Sequence, residues 1–221
     1  MAYWIAHLRI AELVLEKLAF PSDPGLYYAG CLAPDSGSPV YDSGGKRTGY
    51  SPPRRISHWT DDSPDWDAPI RYERFYGLYV KDENDFEKMS FYFGYYIHLL
   101  TDALWIELVR RPLKESLGSP AAYEAAKPEI KADWSYTDRL FLQKHPDFEP
   151  LRRLCALGSF RNVYLDYFPE NAVEARISSL PEVYAGARTI EDRDCPYFSY
   201  RQYEQAVYTV SNLIALHCRA R

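Results

Sequence analysis

The stretch FYFGYYIHLLTDALW, residues 91–105, is almost wholly apolar, yet it carries His98 and Asp102 four positions apart. Side chains at i and i+4 of an α-helix lie one turn apart on the same face, so this pair can point at one object. A buried carboxylate is unfavourable unless its charge is compensated, and its helix neighbours here are aliphatic. The pair therefore indicates either a His–Asp hydrogen bond in the core or part of a metal site, and the two residues alone do not decide between them.

Around this stretch the pattern is helical. Asn84 and Glu87 form a plausible cap pair that opens a long helix to about residue 110, where Pro112 is expected to stop it. A first helix occupies the opening twenty residues and ends at Pro21 and Pro24. Other helices are predicted at 69–81, 119–127, 128–144, 148–158, 160–168, 170–186 and 199–218.

No segment alternates with period two, and no internal repeat is present. Residues 21–69 are rich in Gly, Pro, Ser and Asp and have no regular periodicity, which is typical of a functional loop. We therefore predict one all-α domain spanning residues 1–221, a multi-helix bundle with a long irregular loop between the first and second helices.

Charge and hydropathy limit the classes of protein to which the chain can belong. The chain has 221 residues, a formal net charge of −5 and a pI near 5.6, so it lacks the general basic character of proteins that bind nucleic acid or anionic membranes. No apolar run is long enough to span a membrane, and the apolar N-terminus is interrupted by charges and lacks the basic start of a signal peptide. A cytoplasmic protein without a transmembrane span, and without a nucleic-acid partner, is expected.

The four cysteines are far apart and form no C-x-x-C motif, so they predict neither a zinc ribbon nor a redox pair. We expect them to be reduced core residues; they are Cys31, Cys155, Cys195 and Cys218. The motifs of nucleotide-binding loops, serine hydrolases and zincin proteases are also absent. The acidic run from Asp61 to Asp67 lacks the Gly and Glu of a calcium loop and is expected to be solvated.

Three further residues strengthen the metal interpretation of His98 and Asp102. His7 lies in the first helix, Asp35 follows Pro34 in a turn, and His58 lies in the long loop. Considered singly, His7 would be a core histidine, Asp35 a turn or helix cap, and His58 a surface residue. Taken together, they supply the imidazole nitrogens and carboxylate oxygens that zinc and similar divalent ions accept.

These segments also resemble the zinc-dependent phospholipase C family and its uncharacterised bacterial relatives, which are all-helical. The matching elements are the first-helix histidine, the turn G-C-L-A-P-D-S, the step S-H-W and the helix G-Y-Y-I-H-L-L-T-D-A-L-W, in the family's order over the first half of the chain. The helix is the most specific element, because His-x-x-x-Asp within an aromatic and aliphatic helix is the family's signature.

The resemblance implies one or two zinc-like ions held by five ligands, namely His7, Asp35, His58, His98 and Asp102. It implies that Asp102 bridges two ions and that Asp35 also takes a proton from the bound water. Secreted members have a further cluster of two histidines and a glutamate, whereas only His145 and His217 follow Asp102 here, without that spacing. This departure argues against a third metal and against phospholipase activity itself.

We therefore predict a metal-dependent hydrolase of a small-molecule phosphoester, with metal-activated water as the nucleophile and Asp35 as its catalytic proton acceptor. One alternative is a non-catalytic helical protein that keeps a structural metal site or a His/Asp network. The other is a zinc-dependent nuclease, which would need a third metal and a basic or stacking groove. Asp138 is expected to have an ordinary hydrogen-bonding or surface role, His145 to lie at the surface, and His217 to face the dipole of the last helix.

Overall fold

The computed structural model describes residues 2–61, 67–158, 160–184 and 190–221. Of these residues, 65% are helical and 5% are extended, so the prediction of an all-α fold is confirmed. The helices, in chain order, are α1 (Trp4–Leu18), α2 (Pro24–Leu32), α3 (Arg54–Ser57), α4 (Tyr72–Phe75), α5 (Phe86–Trp105), α6 (Arg111–Ser116), α7 (Pro120–Lys144), α8 (Glu149–Ala156), α9 (Ala172–Val183) and α10 (Tyr200–Arg219). A 3-10 turn (Ala33–Asp35) continues α2, and π-helical segments (Tyr76–Val80 and Ile106–Arg110) continue α4 and α5.

Helix α5 is the centre of the fold. Every residue from Ser90 to Asp102 is buried, so other elements cover the helix on all its faces. Its neighbours include α1, α2, α4 and α10. Asp85, one residue after the expected Asn84, caps its start by accepting hydrogen bonds from the backbone N–H groups of Glu87 and Lys88, both at 3.0 Å. A helix that is apolar all round therefore becomes the axis of the core.

The prediction that Pro112 stops this helix is wrong. The chain passes from α5 through the π-helical segment Ile106–Arg110 directly into α6, and Pro112 lies in the first turn of α6. Proline is tolerated there because its fixed φ of about −65° suits the first turn of an α-helix. The π-helical segment changes the hydrogen-bond spacing just before the proline, so helical geometry continues to Ser116.

The prediction of one irregular loop between the first two helices is also wrong. The stretch contains helix α2, which begins as Asp23 accepts a hydrogen bond from the Leu26 N–H at 2.9 Å, with Pro24 in its first turn. Proline at the first helical position is a start signal as well as a loop signal. The same stretch contains an antiparallel hairpin, β1 (Ser38–Tyr41) and β2 (Arg47–Ser51), with Ser38 opposite Ser51. Nearly all hairpin residues are exposed, so no alternation of apolar residues marks it.

Two predictions in the second half need correction. Residues 119–127 and 128–144 form the single helix α7, because Pro128 lies on its exposed face, where water can satisfy the carbonyl that the proline leaves free. Residues 160–168 are irregular rather than helical, although Phe160, Leu165 and Phe168 are buried. The Asn162 side chain accepts hydrogen bonds there from the backbone N–H groups of Tyr164 and Leu165. The predicted helix 170–186 is α9, which ends at Val183; residues 185–186 lie outside the described ranges.

The closest approach in the core is between α2 and α5. A Cβ atom on Gly94 would overlap the backbone carbonyl oxygen of Tyr27, and a Cβ atom on Gly30 would overlap that of Phe91. Only glycine fits at these two positions without moving one helix away from the other. The contact therefore requires glycine on both helices.

Gly94→Ala is expected to lower the free energy of unfolding by about 2–3 kcal/mol, because backbone must move to admit the methyl group. Gly77→Ala is the matched control, since a Cβ at Gly77 meets nothing within 4 Å. Urea titration followed by circular dichroism measures both variants. Equal stability of the two variants would show that α2 and α5 are not held at this distance.

Helix α1 is capped by a residue distant in sequence. Asp138 of α7 is buried and accepts hydrogen bonds from the backbone N–H groups of Ile5 (3.0 Å) and Ala6 (3.1 Å) and from the hydroxyl groups of Tyr203 (2.9 Å) and Tyr184 (3.3 Å). These two N–H groups lack partners within their own helix, so the carboxylate takes the place of a local N-cap side chain. The hydrogen-bonding role expected for Asp138 is confirmed, and the surface position is wrong.

Burial raises the pKa of Asp138 to about 7, in spite of the hydrogen bonds that favour its ionised form. The native state then holds a proton that the unfolded chain releases near pH 4, so the contribution of Asp138 to stability decreases as pH rises from about 4 to 7. The difference in unfolding free energy between wild type and Asp138→Asn is expected to decrease over this window. Urea titrations at several pH values measure it, and an increase would mean that the native carboxyl is ionised throughout.

Candidate metal centre

All five residues that the sequence singled out lie at one place in the core. His7 comes from α1, Asp35 from the 3-10 turn after α2, His58 from the end of α3, and His98 and Asp102 from α5. The closest distances between their nitrogen and oxygen atoms are His7 Nε2 to Asp102 Oδ1 at 3.3 Å, His58 Nε2 to Asp35 Oδ1 at 3.2 Å, His58 Nε2 to Asp102 Oδ2 at 3.6 Å and His98 Nε2 to Asp102 Oδ2 at 3.8 Å. The tertiary fold thus gathers side chains from four segments around Asp102.

The orientation of His98 is set from outside the cluster. Its Nδ1 lies 2.7 Å from the backbone carbonyl oxygen of Cys31, which can only accept a hydrogen bond, so Nδ1 carries the proton. Burial lowers the pKa of His98 to about 3, with His7 adding to this effect, so the ring is neutral and Nε2 bears a lone pair. Nε2 lies 3.8 Å from Asp102 Oδ2 and, without a proton, cannot donate a hydrogen bond to it. A simple His98–Asp102 hydrogen bond, one of the two interpretations of the pair, is not formed.

The inward-facing ligand atoms lack hydrogen bonds. Among the described residues, no partner satisfies the Nε2 atoms of His7, His58 and His98 or either carboxylate oxygen of Asp102, and all of these atoms are buried. Buried polar groups without partners are rare in native proteins and need an explanation. Zinc ligands lie about 2.0 Å from a tetrahedral ion and hence about 3.3 Å from one another, which is close to the separations observed here. The donor set therefore fits a zinc-like ion.

The carboxylates supply the negative charge of the cluster. Burial opposes ionisation of Asp102, but its interaction with His7 keeps its pKa well below the usual range. Burial likewise acts on Asp35, but its interactions with His58, 3.2 Å away, and with the other imidazoles outweigh burial and lower its pKa. Arg54, at the start of α3, places Nη2 3.7 Å from Asp102 Oδ2. Two anionic carboxylates beside neutral imidazole are the ligand chemistry that a divalent cation requires.

His58 is held in place by two elements. Burial lowers its pKa, with the nearby Arg54 adding to the effect, and its Nδ1 lies 2.8 Å from the Ser57 hydroxyl oxygen. The Tyr95 hydroxyl of α5 donates a hydrogen bond to the Ser57 carbonyl, so α3 is tied to the helix that carries His98. Trp59, directly after His58, adopts a left-handed conformation with φ of 55°, which is uncommon outside glycine and occurs often at functional sites. The surface position considered for His58 is wrong.

The cluster is open on one side. Asp35 and His58 line a cavity of about 510 Å³ that one face of α7 also borders, whereas His7, His98 and Asp102 lie behind them in the core. The Asp35 side chain is 12% exposed. This volume is in the range of pockets that bind small molecules. A ligand in the cavity can therefore reach the candidate metal centre through Asp35 and His58.

Cys31 is a further candidate ligand that the sequence did not single out. Its thiol lies close enough to ring nitrogens of His7 and His98 for the three to share an ion. The thiol donates a weak hydrogen bond to the His7 carbonyl oxygen at 3.7 Å, and burial raises its pKa. All four cysteines are reduced, as expected. Cys31 is buried and Cys218 is half-buried against the core, whereas Cys155 is exposed, so the expectation of a core position is wrong for Cys155.

The remaining candidates lie elsewhere. His145 is exposed at the end of α7, as expected for a surface residue. His217 Nε2 and the Tyr96 hydroxyl group form a hydrogen bond of 2.9 Å, and the same nitrogen lies 3.8 Å from Glu73 Oε1. Of the acidic run, Asp61 pairs with Arg71, Asp67 contacts Lys114 and Arg110, and residues 62–66 lie outside the described ranges.

Arg54 and the Cys31 carbonyl were not among the site residues predicted from the sequence. Arg54 stands four residues before His58, so a helical interpretation of R-R-I-S-H would have placed the two near one another. No sequence signal identifies the carbonyl, because its position depends on the approach of α2 to α5.

Comparison of the chain with known protein families, with curated proteins and with solved structures found no match. The resemblance to the zinc-dependent phospholipase C family thus rests on the quoted motifs alone. Among the described residues, no helix is both long and apolar enough to cross a membrane.

Zinc is expected to stabilise the protein, by about 2.7 kcal/mol when free zinc is a hundredfold above Kd, because it binds the folded state alone. His98→Ala should lose this increment, whereas His145→Ala should keep it because His145 lies outside the cluster. Thermal unfolding with and without chelator, on protein purified without a histidine tag, measures the effect. Equal stabilisation of both variants would place the zinc site elsewhere.

Proposed function

We propose that the protein is a metal-dependent hydrolase that acts on a small-molecule phosphoester. The observation that carries the proposal is the set of buried ligand atoms without partners around Asp102, placed directly beside a cavity of about 510 Å³. Metal-assisted hydrolysis is the reaction class for which such a set, with access from one side, is suited. The motifs shared with the zinc-dependent phospholipase C family support the choice of a phosphoester.

His7, Asp35, His58, His98 and Asp102 would hold one or two zinc-like ions, with Asp102 able to serve both because each of its oxygens faces different imidazoles. When bound, such an ion makes water more acidic and withdraws electron density from a phosphoryl group. The donor set is the one predicted from the sequence.

Asp35 is proposed as the proton acceptor. It is the carboxylate of the cluster that borders the cavity, and its lowered pKa keeps it ionised near neutrality. The attacking water loses a proton to Asp35 as its oxygen bonds to phosphorus, and the ester oxygen leaves with the electron pair of the broken P–O bond. Arg54 and Arg176 also line the cavity and can neutralise the charge that develops on the phosphoryl oxygens.

If the metal site were purely structural, protein ligands would be expected to fill every coordination position of the ion. Access to Asp35 and His58 from the cavity favours the enzyme instead. A nuclease would need a third metal; among the described residues, the groups able to hold an ion all belong to this one cluster. We therefore favour a hydrolase of small phosphoesters over a structural metal protein or a nuclease.

Asp35→Asn is expected to reduce turnover of p-nitrophenyl phosphate or bis(p-nitrophenyl) phosphate by a factor of about 10²–10⁴, the usual contribution of a general base. Asp147→Asn, at an exposed position, is the matched control and should keep full activity. Chelator should abolish turnover and zinc should restore it. Turnover that survives chelation, or equal rates for the two variants, would contradict the mechanism.

A further inference from the structure

The cavity beside the candidate metal centre carries basic side chains whose charge is not neutralised by an acidic partner. Among the described residues, Arg47, Lys131, Arg139 and Arg176 line it and have no carboxylate oxygen within 4.0 Å. The whole chain has a net charge of −5. Positive charge is therefore concentrated at this cavity rather than being a general property of the protein, and such a concentration attracts anions.

Arg176 of α9 marks the end of the cavity near the metal centre. Its Nε donates a hydrogen bond to the backbone carbonyl oxygen of Asp35 at 3.2 Å, and its guanidinium lies 4.3 Å from the centre of the Trp4 ring. The hydrogen bond and the ring hold the guanidinium beside the carboxylate proposed to accept the proton. A phosphoryl group next to Asp35 would be within reach of this fixed cation.

One face of α7 forms another part of the cavity lining. Lys131 and Arg139 are eight residues apart on this helix, or about 12 Å. Arg139 is oriented by a hydrogen bond from its Nη2 to the Val183 carbonyl oxygen at 2.9 Å. The same face presents to the cavity the apolar surfaces of Trp134, which lies between the two cations, and of Ile130, which lies next to Lys131. This face thus offers positive charge at separate points with an apolar surface between.

We infer that the substrate is a small phosphoester with a second anionic group, a phosphate or a carboxylate, on an apolar body. The scissile phosphoryl group lies beside Arg176 and the metal centre, and the second anionic group lies against Lys131 or Arg139. This assignment rests on the proposed function. A substrate with one anionic group would leave Lys131 and Arg139 without an anionic partner. The second group therefore adds affinity and selects among phosphoesters.

Calorimetry with zinc-loaded protein tests the inference with three ligands that cannot be hydrolysed. They are a biphenyl with one phosphonate, a biphenyl with a phosphonate at each end, and a biphenyl with a phosphonate at one end and a carboxylate at the other. At least one of the two doubly anionic ligands should bind about tenfold more tightly than the first, since a charge-assisted hydrogen bond contributes about 1.5 kcal/mol. The ligand that gains more identifies the preferred second group.

In the double variant Lys131→Gln, Arg139→Gln this advantage should fall to about twofold or less, while the monophosphonate keeps its affinity. Lys144→Gln, on the same helix and outside the residues that line the cavity, is the control and should keep the full advantage. The advantage should also decrease as salt concentration rises.

The outcomes separate the two proposals. If all three ligands bind equally and only in the presence of zinc, the second anionic site is refuted and the metal-dependent site stands. If the doubly anionic ligands bind equally well with and without zinc, and lose affinity in the double variant, the anion site stands and the proposed function fails. A short single-stranded oligonucleotide that displaces the diphosphonate and binds more tightly than it would overturn the assignment to a small molecule.

Discussion

The candidate site depends on how closely α2 approaches α5. Gly30 and Gly94 allow backbone of one helix to touch backbone of the other. This contact brings the Cys31 carbonyl oxygen within 2.7 Å of His98 Nδ1, and the 3-10 turn that continues α2 carries Asp35 to the same place. Moving the two helices apart would change the protonation and orientation of His98 and the position of Asp35 together. The packing of α2 against α5 and the geometry of the candidate site therefore both depend on Gly30 and Gly94.

The cluster is also a local exception to the rules that govern the rest of the core. Elsewhere the buried acids have partners: Asp138 accepts four hydrogen bonds at the start of α1, and Asp133 accepts from the backbone N–H groups of Tyr197 and Phe198 and from Arg193. Asp102 and the imidazoles around it have no such network among the described residues. Natural proteins break local rules of this kind mainly at functional sites, where a ligand completes the interactions.

Different elements of the fold form the two parts of the cavity that we propose to serve catalysis and recognition. At its inner end Trp4 of α1, Asp35 of the 3-10 turn and residues of α3 border the cavity, and α5 lies behind them in the core, so the candidate ligand atoms are held by rigid packing. Other parts of the lining come from the hairpin and α7, which contribute Arg47, Lys131 and Arg139. Sequence changes in these parts can alter which ligand fits the cavity while the candidate metal ligands stay in place.

The sequence by itself determined the helical class, the buried central helix and the identity of the five candidate ligands, because helical period and residue chemistry are local properties. It could not show α2, the exposed hairpin or the continuity of α7, since their signals coincide with those of loops or are absent on solvent-facing strands. Only the tertiary structure decided that the five side chains meet, that Arg54 and the Cys31 carbonyl join them, and that cations from several elements line the cavity. Contacts between distant segments are set by the packing of whole helices, and residue spacing along the chain carries no record of them.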